Sequence, residues 1–169
     1  MPPQDAKVFA TTQLDRLLAF FPRVDGKASF VLALNVALLG VMAVNFPIRH
    51  IGSPRACAGI IAALLLILSF WQLCVVFFPD LKSGEKRSLI YFGDIASLGW
   101  RGYHKALKDA SEDDLLEDLT CQVWRNAEIL RIKFDHTRSA MIFTLIALPF
   151  WLALVSAAAL RAGKFAIGS

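Results

Sequence analysis

Charged residues are scarce in this chain. Asp, Glu, Lys and Arg make up 19% of its 169 residues, whereas hydrophobic residues make up 56%. Soluble domains contain about 25% charged residues and rarely hold uninterrupted apolar stretches of about 20 residues. The shortage of charge therefore argues against an ordinary soluble domain and assigns the excess apolar residues to lipid. The modest net charge of +4 is more typical of basic cytoplasmic loops in a membrane protein than of nucleic-acid binding.

Cysteine is also scarce. The three cysteines, Cys57, Cys74 and Cys121, lie far apart, and two of them fall within apolar runs. They form neither a CxxC pattern nor the Cys/His spacing of a zinc site, so the sequence supports neither a metal site nor a disulfide framework. We expect three free thiols on small, buried side chains.

Catalytic motifs are missing as well. His50, His104 and His136 are scattered, and the chain has no HExxH, P-loop, GxSxG or GxGxxG pattern. The acids Glu112–Asp114 and Glu117–Asp118 resemble a carboxylate pair, but acids at a helix N-terminus are more typical of a solvated face that complements the helix dipole. The sequence therefore predicts a protein that is not an enzyme and holds no cofactor.

Three long apolar runs stand out against this background. At 1.5 Å per residue, each is long enough to cross a hydrocarbon core of about 30 Å. Pro47 and Pro79 follow the first two runs, and Pro149 within the third predicts a kink. The predicted spans are Ala28–Phe46, Ala56–Phe78 and Ser139–Leu160.

The polar segment Asp80–Arg138 lies between the second and third runs. With the N-terminus inside, only Arg49, Arg55, Arg161 and Lys164 of the 18 Lys and Arg residues fall outside, as the positive-inside rule requires. We therefore predict an all-α integral membrane protein of about three transmembrane helices, with a helical cytosolic domain inserted between the second and third. The predicted segments are an N-terminal amphipathic cytosolic helix (1–27), a transmembrane hairpin (28–78), the cytosolic domain (79–138), and a third transmembrane helix with a tail (139–169).

The N-terminal segment Asp5–Phe21 has apolar residues at helical spacing and is followed by Pro22. This pattern predicts an amphipathic helix that ends at the proline. Because its polar face is not rich in Lys and Arg, packing on the cytosolic domain is favoured over binding to the membrane surface.

Two helices are predicted inside the cytosolic domain. Asp94 can cap the first, which runs to about Lys108, and Ser111 with Asp114 forms a capping box for the second. No helix breaker separates the second helix from Ser139, so we expect it to continue into the third span. Small residues within the spans favour close helix approach and assembly into a homo-oligomer: Ala33, Ala37, Gly40, Gly59 and Ala63.

Polar side chains recur at spacings of three and four on the second of these helices. The amides of Gln122 and Asn126 suit a pyrimidine edge, a basic side chain can hold a phosphate, and an aromatic ring can stack on a base. The alternative is that both amides form hydrogen bonds within a helical bundle or between subunits. The candidate ligand-binding residues on this basis are Gln122, Arg125, Asn126, Lys133, Tyr91 and Phe92.

Three blocks carry a resemblance to a known family: RVDGKASFVLALNVALLG (Arg23–Gly40), SLIYFGDIA (Ser88–Ala96) and DLTCQVWRNAEILRIKF (Asp118–Phe134). With Tyr103, they resemble the transmembrane effectors of the bacterial Pycsar antiphage system. Asp25 and Lys27 in the first block join the candidate ligand-binding residues.

This resemblance implies a function. In that family a companion cyclase makes cyclic UMP or cyclic CMP on infection, and the membrane effector responds by impairing the inner membrane, which ends in abortive infection. The alternative is a membrane-anchored interaction or scaffold protein with no nucleotide ligand. A constitutive channel is disfavoured because no ionisable residue lies at the middle of a span.

Overall fold

The computed structural model describes the backbone of residues 3–78 and 87–167, and the side chains of residues 4–48, 50–78 and 87–156. All regular elements in these ranges are helical, which confirms the all-α prediction. They are α1 (Pro3–Leu18), α2 (Phe21–Asn45), a short 3₁₀ turn (Ile48–His50), α3 (Pro54–Phe77), α4 (Phe92–Asp109) and α5 (Glu112–Ile167).

Three helical stretches are long and apolar enough to cross a membrane. They lie within Gln4–Asn45, Pro54–Phe77 and Glu112–Ser156, so the predicted number of spans is confirmed at this level. The expectation that one helix continues from the polar segment into the third apolar run is also confirmed, because α5 includes both.

Serine side chains cap the N-termini of two helices. The Oγ atom of Ser53 accepts a hydrogen bond from the backbone N–H of Ala56, 3.2 Å away, and a proline follows at the first position of α3. At α5 the N–H of Asp114 donates to Oγ of Ser111 over 3.1 Å, and the N–H of Ser111 donates to Oδ2 of Asp114 over 3.0 Å. The predicted capping box is therefore present.

The role predicted for Pro22 is wrong. α1 ends at Leu18, and Pro22 lies in the first turn of α2, which begins at Phe21, ahead of the predicted span Ala28–Phe46. A proline is tolerated there because the first backbone N–H groups of a helix have no intrahelical partner.

α4 departs from its prediction in two ways. Tyr91, not Asp94, occupies the position before the helix, and it makes no side-chain capping bond. Gly99 has φ 63° and ψ 168°, which breaks α4 into two helical segments. Glycine adopts this left-handed region without a Cβ clash, so the single helix predicted through Lys108 is interrupted.

The chain forms two compact units. The first, here called the polar unit, comprises Met1–Arg23 and Pro79–Ile132; the second, the span unit, comprises Val24–Phe78 and Lys133–Ser169. α2 and α5 contribute residues to both units.

The span unit is held by apolar contacts among α2, α3 and α5. One cluster surrounds Leu38, Leu66 and Leu154, and another surrounds Val31 and Leu73. A Cβ at Gly59 would lie 2.9 Å from a ring carbon of Phe46. Gly59 is therefore already used for close packing within the chain and is not available for the predicted contact between subunits.

The three cysteines differ from one expectation. Cys57 and Cys74 on α3, and Cys121 on α5 within the polar unit, are all exposed, so the prediction of buried thiols is wrong. Lipid can cover the outward face of a spanning helix, so Cys57 and Cys74 need no protein around them. Of the predicted small-residue contacts, Ala33, Ala37 and Gly40 are exposed on α2.

Candidate functional site

The segment Ser88–Asp94 is hydrogen-bonded to α5 within the polar unit. It ends in the first turn of α4 and is here called the docked loop. The backbone N–H of Leu89 donates to Oδ2 of Asp118 over 2.7 Å. The side-chain amide of Gln122, one turn further along, donates to Oγ of Ser88 over 3.1 Å. Two side chains of one α5 face therefore fix the start of the loop.

Ser88 organises the loop itself. It is 4% exposed, and its Oγ atom also accepts hydrogen bonds from the backbone N–H groups of Ile90 (3.0 Å) and Tyr91 (2.9 Å). Its own N–H donates to Oδ2 of Asp94 over 2.8 Å. Asp94 thus accepts a hydrogen bond from Ser88 at the other end of the loop instead of capping α4. The loop is joined to α5 at two points, Ser88 through Gln122 and Leu89 through Asp118.

The two aromatic candidates differ in accessibility. The ring centroids of Tyr91 and Phe92 lie 4.7 Å apart at an interplanar angle of 53°. Tyr91 is half-buried, and a Cβ at Gly93 would lie 2.7 Å from its ring, so the glycine makes room for it. Phe92 is 68% exposed and is the better placed ring for stacking on a base from solution.

The polar candidates on α5 have partners inside the polar unit. Besides the bond from Gln122 to Ser88, Nδ2 of Asn126 donates to the backbone carbonyl of Gln122 over 2.8 Å. Arg125 forms an ion pair with Glu128 at 2.6 Å. These contacts favour the alternative interpretation of the two amides, as hydrogen-bonding groups of a helical unit, although each amide has further bonding capacity.

The remaining three candidates belong to the span unit. Nζ of Lys133 lies 2.7 Å from Oδ1 of Asp25, with side-chain exposures of 9% and 41%. Lys27 is exposed. Because a buried lysine needs a compensating charge, the ion pair with Asp25 gives Lys133 a structural role.

A polar cluster inside the span unit was not predicted. Nδ2 of Asn35 donates to Oγ of Ser69 over 2.7 Å, and Oγ1 of Thr144 donates to Oδ1 of Asn35 over 2.8 Å. Ser69 and Thr144 approach to 3.1 Å, and Oγ of Ser69 also lies 3.0 Å from the carbonyl oxygen of Ala140. All three side chains are buried, and each comes from a different helix: α2, α3 and α5. This group, here called the span triad, ties the three helices together at one level.

Sequence reasoning did not predict that Ser88, Asp94 and Asp118 hold the docked loop, although it placed Asp118 in the polar row of α5. Asp118 shares the three-and-four spacing of the α5 candidates, which was the only available signal. The bonds of Ser88 and Leu89 to α5 join residues about 30 positions apart, and local patterns do not encode such pairings.

A family model decides the family of this chain. The model of the Pycsar effector protein domain matches residues 9–160. This chain belongs to the Pycsar effector family. No curated protein and no solved structure matches it.

Membership confirms the resemblance and has consequences for function. The Pycsar effector family supports a role in antiphage defence and implies a link to cyclic-nucleotide signalling. Together with the three span-competent helices, it supports a location in the membrane. The family is not a known family of enzymes.

Proposed function

We propose that this Pycsar effector binds cyclic UMP or cyclic CMP through its polar unit and then impairs the bacterial inner membrane through its span unit, causing abortive infection. One observation carries the proposal. α5 holds the docked loop through Asp118 and Gln122, and the same helix contributes Thr144 to the span triad. The nucleotide comes from a companion cyclase, and the polar unit faces the cytoplasm, the orientation that the placement of Lys and Arg favours.

The docked loop supplies the nucleotide site. Phe92 stacks on the pyrimidine, since it is exposed beside the half-buried Tyr91. Arg125 takes the cyclic phosphate by exchanging its partner Glu128 for it, because a guanidinium binds phosphate and carboxylate oxygens in similar geometry. The N–H donors and carbonyl oxygens of Gln122 and Asn126 that are not used in these bonds form hydrogen bonds with the pyrimidine edge.

Binding at the loop acts on the spans through α5. A ligand changes the balance between two states only by the difference in its affinity for them. The nucleotide therefore binds more tightly to a second state. In that state the hydrogen bonds between the docked loop and α5 differ, and the span triad is rearranged. Three spans enclose little by themselves, so several copies assemble, with the exposed Ala33, Ala37 and Gly40 stripe as the contact.

A binding measurement on the purified effector tests the sensing step. Thermal unfolding in detergent is followed while cyclic UMP, cyclic CMP or cyclic AMP is added. Ligands that bind only the folded state raise the melting temperature, and the rise continues with the logarithm of ligand concentration above the dissociation constant. We expect a concentration-dependent rise with at least one cyclic pyrimidine and none with cyclic AMP. If neither pyrimidine nucleotide raises it, the sensing proposal is wrong.

The second candidate function is a membrane-anchored interaction protein without a nucleotide ligand. Two observations favour it: the amides of Gln122 and Asn126 already donate hydrogen bonds within the polar unit, and Trp124 is 64% exposed. Exposed aromatic residues are enriched at protein interfaces. The same titration separates the two functions, since a scaffold would respond to none of the three nucleotides.

A further inference from the structure

The second half of α4 forms a helical segment of its own. Gly99, with φ 63°, separates the segment Trp100–Asp109 from the first turns of α4. No residue of α4 is buried, so apolar contacts within the polar unit leave much of this segment uncovered.

Two exposed rows run side by side along this segment. Trp100, His104 and Leu107 follow one another at helical spacing; Trp100 is 75% exposed and Leu107 is 43% exposed. The indole and imidazole rings of this row lie 5.2 Å apart between centroids. The neighbouring row is basic and entirely exposed: Arg101, Lys105 and Lys108.

The opposite side of the segment is the one that packs. Gly102, Tyr103 and Ala106 are half-buried, so the two exposed rows occupy the side turned away from the body of the polar unit. The exposed side therefore combines a tryptophan and a leucine with three positive charges, and Asp109 is the only acid of the segment.

This combination matches the surface of an anionic leaflet. Tryptophan prefers the headgroup level of a bilayer, where its ring is shielded and its N–H stays wet. Lysine and arginine beside an apolar row are the mark of helices that lie in the membrane interface and bind acidic lipids. We propose that the Trp100–Asp109 segment docks on anionic phospholipid headgroups of the membrane that holds the spans.

The two rows together favour lipid over a soluble anion. A free phosphate or nucleotide would satisfy Arg101, Lys105 and Lys108 but would leave Trp100 and Leu107 in water. A bilayer with anionic headgroups offers an apolar interface to the tryptophan row and negative charge to the basic row. The spans of the same chain keep such a bilayer nearby at high effective concentration. Docking of this segment on lipid does not require that the protein sense a nucleotide.

Tryptophan quenching in nanodiscs tests the proposal on the full chain. The effector is reconstituted in discs of phosphatidylcholine alone or mixed equally with phosphatidylglycerol, each carrying a lipid with a spin label on its headgroup. The signal of Trp100 is the difference between the unmodified protein and Trp100→Phe. We expect quenching of this signal to be several-fold stronger in the anionic discs and to fall when salt is raised, because surface charges are screened.

A matched pair of variants locates the effect. Arg101→Gln/Lys105→Gln should abolish the dependence on phosphatidylglycerol. Arg16→Gln/Arg87→Gln removes two exposed bases elsewhere in the polar unit and should leave it unchanged. The salt series needs only the unmodified protein and Trp100→Phe, so it gives an answer even if a double variant fails to fold.

Four outcomes would overturn the inference. The first is equal quenching of Trp100 in neutral and anionic discs, and the second is an equal loss in both double variants. The third is displacement by a soluble cyclic nucleotide, which would mark the face as a nucleotide site. The fourth is quenching that depends on the number of effector chains per disc, which would mean that a second copy covers the face.

Discussion

Asn35 donates a hydrogen bond from Nδ2 to Oγ of Ser69 over 2.7 Å, and both side chains are fully buried. The bond joins α2 to α3, and Thr144 extends it to α5 by donating to Oδ1 of Asn35. In a bilayer the hydrophobic effect does not drive helices together, so packing and such hydrogen bonds define how they associate. The span triad is therefore the feature that most directly fixes the arrangement of the three helices.

Replacing Thr144 tests this role. Thr144→Val keeps the shape of the side chain but removes the donor to Asn35, leaving a buried acceptor unsatisfied. We expect a loss of about 1 kcal/mol in the free energy of unfolding, measured by SDS titration of the protein in mixed micelles. Cys74→Ala, at an exposed position on α3, is the control and should have a smaller effect. Equal stability of Thr144→Val and the unmodified protein would show that the triad does not stabilise the spans.

The ion pair between Lys133 and Asp25 gives a second prediction. Asp25→Asn removes the carboxylate charge that lies 2.7 Å from the buried ammonium of Lys133. We expect a loss of about 1–3 kcal/mol in the free energy of unfolding, because Asp25 is partly exposed and water compensates some of the change. The double variant Asp25→Asn/Lys133→Met should recover much of it.

Lys7→Met is the matched control for that pair. Lys7 pairs at 3.4 Å with Glu112, which is 80% exposed, so its loss should have little effect. A destabilisation by Lys7→Met as large as that by Asp25→Asn would contradict the importance assigned to burial of Lys133.

Phe92 gives a prediction on nucleotide affinity. Because stacking on an aromatic ring contributes about 1–3 kcal/mol per base, Phe92→Ala should raise the dissociation constant of the cyclic pyrimidine about tenfold or more. Isothermal titration of purified protein measures it. Leu107→Ala, at an exposed position outside the docked loop, should bind normally. An unchanged dissociation constant in Phe92→Ala would remove the loop from the nucleotide site.

Two glycines of α4 provide opposite expectations. Gly99→Ala places a Cβ on a residue with φ 63° and ψ 168°, a backbone region that is essentially limited to glycine. It should lower the free energy of unfolding by about 1–3 kcal/mol. Gly102→Ala introduces a Cβ that meets the side chain of Leu98 at an ordinary 3.5 Å, and should raise it by about 0.5–1 kcal/mol. Thermal unfolding of the two variants side by side gives the comparison. If Gly99→Ala is the more stable of the two, the break in α4 is not a feature of the folded state.

The parts of the fold that the sequence predicts are those that depend on local patterns. The length of the apolar runs predicts the three spans, and the Ser111–Asp114 capping box predicts the start of α5. The absence of a breaker before Ser139 gives the continuity of that helix. Gly99 carries no such signal, because a glycine within a helical pattern is usually tolerated and only the surrounding structure selects its left-handed conformation.

The candidate site was predictable only in part. The aromatic pair and the polar face of α5 are visible in the sequence, but their contacts are not. Ser88 meets Gln122 across 34 positions, and Thr144 meets Asn35 across 109. Such pairings follow from the rotation of each helix about its axis, which packing determines. The same rotation exposes Cys57 and Cys74, which composition alone would bury.

Release of a trapped dye from liposomes tests the central claim most directly. Liposomes carrying the purified effector are treated with cyclic UMP, cyclic CMP or cyclic AMP, and dye fluorescence is followed over time. The account predicts rapid release with at least one cyclic pyrimidine, no release with cyclic AMP, and none from liposomes without protein. Intact liposomes in the presence of both cyclic pyrimidines would contradict it.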